Sequence, residues 1–179
     1  MRDISYRVAL GGIVSSLCLL CMFLAGIMPM FYLILPMIAG ILIMIIAEEV
    51  NLSWAWLTYI AVGILSMFIT ADKEASLVFI MIFGHFPIIR LHMEKIKLKL
   101  LRWLIKLAIF NACAVSFFYV TVYIFGIREM LEEMNEYGRY GAIILLVLCN
   151  IIFVLYDLNL YLMYGIYKIK FMPLLRKKR

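Results

Sequence analysis

Hydrophobic positions in this chain run in long unbroken stretches separated by short charged punctuation. No charged residue occurs in residues 8–47, 50–71, 75–89, 107–127 or 140–156. A helix needs roughly 20 predominantly apolar residues to cross the ~30 Å hydrocarbon layer of a bilayer. The first stretch is long enough for two crossings, and the chain as a whole for six. The pattern predicts an all-α integral membrane protein: one domain over residues 1–179, built as a six-helix transmembrane bundle. The expected spans are 8–27, 31–47, 52–71, 75–89, 104–127 and 140–167. Met28-Pro29-Met30 is too short and too apolar for a free loop, so the first two helices are expected to form a hairpin, with Pro29 breaking the helix. The fourth span is short and carries Gly84, His85 and Pro87, which predicts a tilted, kinked or partly re-entrant helix. The first span flows straight into the second with no small-residue cleavage site, so it is expected to stay in the membrane rather than leave as a signal peptide.

Composition agrees with this reading. The chain is 67% hydrophobic and 16% charged, against about 45–50% and about 25% in soluble domains. Charge adds an orientation. Two Lys and Arg precede the first span, six lie in residues 90–106 and six follow Tyr167, fourteen in all, whereas the other side holds Lys73, Arg128 and Arg139. The positive-inside rule then puts both termini and the basic connection in the cytoplasm of a multi-pass cytoplasmic-membrane protein. Acids gather on the other side: Asp72, Glu74, Glu129, Glu132, Glu133 and Glu136. Glu48 and Glu49 form an inner loop without compensating cations, which the rule does not explain. The net charge of +6 sits at span ends, where it suits anionic lipid, and nucleic acid is not expected as a partner. In the connection, Lys95, Lys99, Arg102 and Lys106 form one helical stripe and Met93, Ile96, Leu100 and Trp103 another. This predicts a basic amphipathic helix over 90–106, lying on anionic lipid or docking a cytoplasmic partner.

Polar side chains at membrane depth are costly and mark candidate sites. Asp157 lies in the inner half of the last span, with Asn150 seven residues earlier and Tyr161 and Tyr164 four and seven later, near one face. The fifth span offers Lys106, Asn111, Tyr119 and Tyr123. An antiparallel hairpin of the last two helices brings Lys106 and Asp157 to similar depth, which predicts a structural ion pair. Asn111 and Asn150 either bond between helices, or Asn150 joins Tyr119 and Tyr123 in an outward-facing polar pocket.

Catalysis is not expected. His85 and His92 lack the H-E-x-x-H context of a metalloprotease. The Glu48-Glu49 doublet is similar to the paired glutamates of intramembrane CAAX-type proteases, but that family also needs an Arg where position 53 is Ser. No nucleophile elbow and no P-loop occurs. Cys18, Cys21, Cys113 and Cys149 all lie in apolar runs and are expected to pack as small hydrophobes, with no disulfide framework and no metal site.

In the first span Ala9, Gly11, Gly12, Ser15 and Ser16 form a strip of small residues that would let another helix approach closely. Chain length, six expected spans, this strip in residues 7–16 (RVALGGIVSS) and the Pro- and Gly-bearing segment 33–40 (LILPMIAG) resemble the S components of energy-coupling factor (ECF) transporters. Those are small membrane subunits that capture vitamins or similar micronutrients. The resemblance implies an S-component-like bundle without an ATPase or cofactor of its own. Its partners would be a membrane coupling subunit and associated ATPases. It further implies partner-helix contact through Ala9, Gly12 and Ser16, and a small-molecule site among Asn150, Tyr119, Tyr123 and Glu74. A second reading is a non-catalytic scaffold of the cell envelope, similar in size and span number to the MreD family. A third, a small stand-alone carrier, is disfavoured because no inverted internal repeat is visible.

Overall fold

A backbone without water must satisfy its own N–H and C=O groups, and a continuous helix does so within one segment. The computed structural model describes residues 4–94, 96–127, 131–132, 135 and 138–171, which are helical almost throughout and contain no strand. Six rods follow in chain order: α1 Ile4–Ile27, α2 Ile34–Glu49, α3 Leu52–Ile69, α4 Lys73–Met93, α5 Lys99–Ile124 and α6 Gly141–Ile166. Five of these segments, all except α2, are long and apolar enough to cross a membrane. Arg2, Lys95, Arg128, Glu129, Glu133, Glu136 and the basic residues beyond Lys170, which entered the charge and helix expectations, lie outside the described residues.

Local chemistry sets the boundaries. A single 3₁₀ turn at Pro29–Phe31 reverses the chain between α1 and α2. The Asn51 side chain caps α3 by accepting from the Trp54 N–H at 2.8 Å. Asp72 caps α4 in the same way, accepting from the N–H groups of Glu74 and Ala75 at 2.8 and 3.4 Å. Lys73 Nζ turns back to donate to the carbonyls of Met67 and Thr70 at the end of α3, at 2.7 and 3.0 Å. The Asp72 cap starts the fourth helix at Lys73, and the Lys73 bonds close the end of α3. Where residues 75–89 were expected, the rod runs 21 residues, and α2, at 16 residues, is the short one.

Position in the bundle reverses the expectation for α4 as well. It is 61% buried, against 22–28% for the other four long rods, so it is the central helix. One core joins Cys18 and Met22 of α1, Ile43 of α2, Val62 of α3 and Phe79 of α4. A second joins Met44 of α2, Phe83 and Phe86 of α4, Phe110 and Phe117 of α5, and Phe153 and Tyr156 of α6. Phe153 stacks on Phe110 with centroids 4.3 Å apart and meets Phe86 edge-on at 4.8 Å. Among the described residues, α2 and α4 contribute fully buried side chains to both cores.

The kink expected from Gly84 and Pro87 takes the form of a widened turn at Phe79–Phe83. There the Gly84 N–H donates to Phe79 O at 2.7 Å instead of to Ile80 O, its partner in an ordinary α register. Pro87 has no N–H to give Phe83 O. Two carbonyls are thereby freed, and each accepts from a tyrosine on a neighbouring rod. Tyr59 of α3 donates to Ile80 O at 2.6 Å, and Tyr156 of α6 donates to Phe83 O at 3.0 Å. Gly40 makes room on α2, since a Cβ there would lie 2.6 Å from Phe83 O and closer still to the Tyr156 hydroxyl.

The basic connection differs from expectation. Residues 90–93 belong to α4, the chain leaves the helix after Glu94, and α5 starts at Lys99. The two stripes over 90–106 are therefore shared between two rods, not carried by one amphipathic helix.

Tyr156→Phe should destabilise the fold by about 1–3 kcal/mol, the cost of a buried acceptor left unmatched. Tyr59→Phe should cost less because that ring is half-buried, and Gly40→Ala should be worse than either. Changing Phe68, 82% exposed on α3, to Leu should shift stability by no more than about 0.5 kcal/mol. Denaturant unfolding in detergent micelles measures all four.

Candidate functional site

The strongest concentration of polar chemistry among the described residues lies where α4, α5 and α6 meet. Lys106 comes from the second turn of α5, Asp157 from α6 and Arg90 from the last turn of α4. Lys106 Nζ donates to both Asp157 carboxylate oxygens, at 2.7 and 2.9 Å. Arg90 Nε stands 3.6 Å from the same carboxylate, and its Nη2 lies 3.2 Å from Glu94 Oε1 one turn on. The guanidinium also lies 5.9 Å from the Tyr161 ring centre, within cation–π range. Lys106, Asp157 and Arg90 are 4–6% exposed.

Charge bookkeeping explains the arrangement. Two buried cations face one buried carboxylate, and Glu94, with a third of its side chain exposed, supplies the second negative charge from the rim. Buried ions are tolerated only when paired, and the pair gains little over an apolar substitute. The cluster therefore fixes how three rods align more than how strongly they associate. Arg90 Nε and Nη1 have no hydrogen-bond partner among the described residues, so Asp157 is held chiefly by Lys106.

A second tie closes the same end. The Tyr167 hydroxyl donates to the carboxylate of Glu49, joining the end of α2 to the turn that follows α6. Lys168 supplies the positive charge that acts on Glu48, against the like charges of Glu94 and Glu49. The acidic doublet that charge counting left uncompensated is thus met by residues from the far end of the chain.

Asn150, expected at a substrate pocket, faces Asn111 of α5. Each amide nitrogen donates to the other's oxygen, at 3.0 and 2.9 Å. Each also donates to the carbonyl four residues earlier, at 2.8 Å. Both amides are occupied by this clasp. Tyr119 and Tyr123 stack on each other with centroids 5.6 Å apart and are 58% and 71% exposed. Tyr119 stands eight residues, about 12 Å of helix, beyond Asn111. Glu74 is half-buried in the first turn of α4. The structure brings Asn150 to Asn111 and Tyr119 to Tyr123, and does not gather the four expected pocket residues into one lining.

The small residues of α1 sit differently. The buried positions Gly11, Val14, Cys18, Met22 and Ala25 follow one face. At about 100° per residue, Ala9, Gly12 and Ser16 fall on the opposite one. Ala9 and Gly12 are exposed, a Cβ on Gly12 would meet nothing within 4 Å, and Ser16 Oγ donates to Gly12 O at 2.9 Å. Sequence reasoning placed Tyr161 on the face of Asp157 but missed Arg90 and Tyr167. Arg90 was legible only as part of a basic loop, and Tyr167 only as the end of the last span.

Asp157→Asn should cost on the order of 3–5 kcal/mol, because it leaves two buried cations without their shared anion. Lys106→Met should cost less, since Arg90 already stands beside the carboxylate. Lys106→Met combined with Asp157→Leu should recover much of the loss, as judged by unfolding midpoints in micelles. No family model matches this chain, and no curated protein or solved structure does either, so its function has to be read from the geometry above.

Proposed function

We propose that this chain is a six-span subunit of the cytoplasmic membrane, with both termini in the cytoplasm, that works through a membrane partner docked on α1. The outward small-residue face of α1 carries the reading. Glycine inside a helix costs about 1 kcal/mol relative to alanine, and a Cβ on Gly12 would clash with nothing in the chain. In lipid, small residues on an outer face let a second helix approach closely. The exterior supports residence in a bilayer: Ile13, Leu17 and Leu20 on α1, Ile60, Ile64 and Phe68 on α3, and Val147, Ile151 and Leu155 on α6 are all exposed.

Within that frame the chain acts as a capture subunit of the ECF S-component kind, taking up a vitamin-like small molecule and relying on a separate coupling subunit and its ATPases for energy. Tyr119, Tyr123 and Glu74 remain the side chains offered towards the outer end, with Asn150 behind them. The scaffold reading gains from one observation. Asn150 is already paired with Asn111, and an interaction protein needs no polar lining.

Gly12→Leu should leave the unfolding midpoint within about 1 kcal/mol of the parent, because leucine is the better helix former. The same change should abolish recovery of a coupling subunit and ATPases with tagged protein from native membranes. Undiminished recovery with Gly12→Leu would remove α1 as the docking face. A panel of vitamins then separates the two readings: a capture subunit gives a thermal shift that Tyr123→Ala removes, and a scaffold gives none.

A further inference from the structure

One polar pair lies away from both the ionic cluster and the α1 face. His85 sits on the turn just after the widened stretch of α4, and Cys113 projects from the middle of α5. Such widened turns often occur where a helix presents a functional side chain. His85 Nδ1 lies 3.4 Å from Ile80 O. A carbonyl can only accept, so the proton of the neutral ring is on Nδ1 and Nε2 keeps its lone pair. That lone pair faces Cys113 Sγ at 3.6 Å. The Tyr59 ring stands 6.3 Å from the imidazole, and its hydroxyl donates to the same Ile80 carbonyl. A backbone oxygen holding the far nitrogen is the support that metal-binding histidines generally have.

We propose that His85 Nε2 and Cys113 Sγ together bind a soft monovalent d10 cation, of which Cu(I) is the biological example. With only two protein donors the ion is held linearly, and M–S near 2.3 Å with M–N near 2.05 Å sets the donors about 4.4 Å apart. That is roughly 0.8 Å more than the pair now has, within reach of a rotamer adjustment because both side chains are only half-buried.

Charge and ligand number select the ion. Among the described residues no group of three or more His, Cys, Asp or Glu side chains is placed to hold a metal, so a four-coordinate zinc site has no ligand set here. A divalent ion on one thiolate would leave a net positive charge in an apolar stretch, whereas a monovalent ion on one thiolate is neutral. Soft thiolate donors favour Cu(I) among biological cations. Binding breaks the Cys113 S–H bond, forms the S–metal bond and releases one proton to the buffer, with no change of oxidation state. The site is independent of the docking proposal, because it lies at the α4–α5 seam and uses no residue of α1.

Silver(I), which needs no reductant, is the probe. Full-length protein in micelles is titrated with silver in chloride-free buffer against excess glutathione, and each cysteine is then alkylated and quantified separately by peptide mass. Cys113 should be protected at about one-tenth of the silver that protects the other half-buried thiols, Cys21 and Cys149, or less. In His85→Gln that preference should vanish. Equal protection of all three thiols, or a preference that persists in His85→Gln, overturns the proposal. Buried Cys18 should stay unlabelled in each variant that folds. If His85→Gln fails that check, nitrogen NMR of the parent decides instead. Silver should move the His85 Nε2 resonance in the parent and not in Cys113→Ser, and a resonance that stays still in the parent overturns the site.

Discussion

Two backbone carbonyls on α4, those of Ile80 and Phe83, decide how four rods meet. A freed carbonyl in an apolar interior costs too much to leave unmatched, so each one calls for a donor from a neighbour. Tyr59 of α3 answers one and Tyr156 of α6 answers the other. Because a tyrosine reaches only a short way from its backbone, these bonds fix the distance and rotation of α3 and α6 about α4. The Tyr156 bond in turn requires Gly40, which lets α2 come against the same carbonyl. A widened turn that would weaken a lone helix becomes the point of assembly for the central one.

That centre controls the Arg90 end of α4 too. Arg90 reaches Asp157 because the last turn of α4 continues past Pro87, and Lys106 reaches Asp157 because α5 and α6 run antiparallel alongside it. Apolar packing in lipid gains little from one alignment over another, since lipid tails are as apolar as leucine. Directional bonds are then what select one register. The Lys106–Asp157 pair and the Asn111–Asn150 clasp tie α5 to α6 at two levels, and the Glu49–Tyr167 bond ties the end of α2 to the turn after α6. Together they hold α2, α5 and α6 at fixed heights around α4.

The sequence was informative where its signal was one-dimensional. Charge-free runs marked where helices lie, and the hairpin argument put Lys106 level with Asp157, where the two are 2.7 Å apart. It misled at α4. A short run holding Gly, His and Pro reads as a marginal span, yet the helix starts earlier, at the Asp72 cap, and continues through Met93, and the broken register was repaired by tyrosines twenty-one residues before Ile80 and seventy-three after Phe83. Long-range donors leave no local trace. The pocket expectation failed to converge for a related reason. Asn150, Tyr119 and Tyr123 share an outer half by count, but helix rotation turns the asparagine towards Asn111 and leaves the tyrosines outside.

The division between centre and periphery bears on function. Since α2 and α4 supply both cores, α1 can spare a whole face, and Ala9, Gly12 and Ser16 occupy it with side chains too small to fill any gap in this bundle. A residue kept small where nothing inside the chain limits its size points outward for its reason. His85 presents the opposite case, a polar ring on the most buried rod, turned to the seam with α5 and held from behind by the carbonyl that the widened turn releases. On the docking proposal, changes on α1 alter partnership without disturbing the core. Changes at Ile80, Gly84 or Tyr59 would disturb the core and the His85–Cys113 pair together, because the same turn builds both.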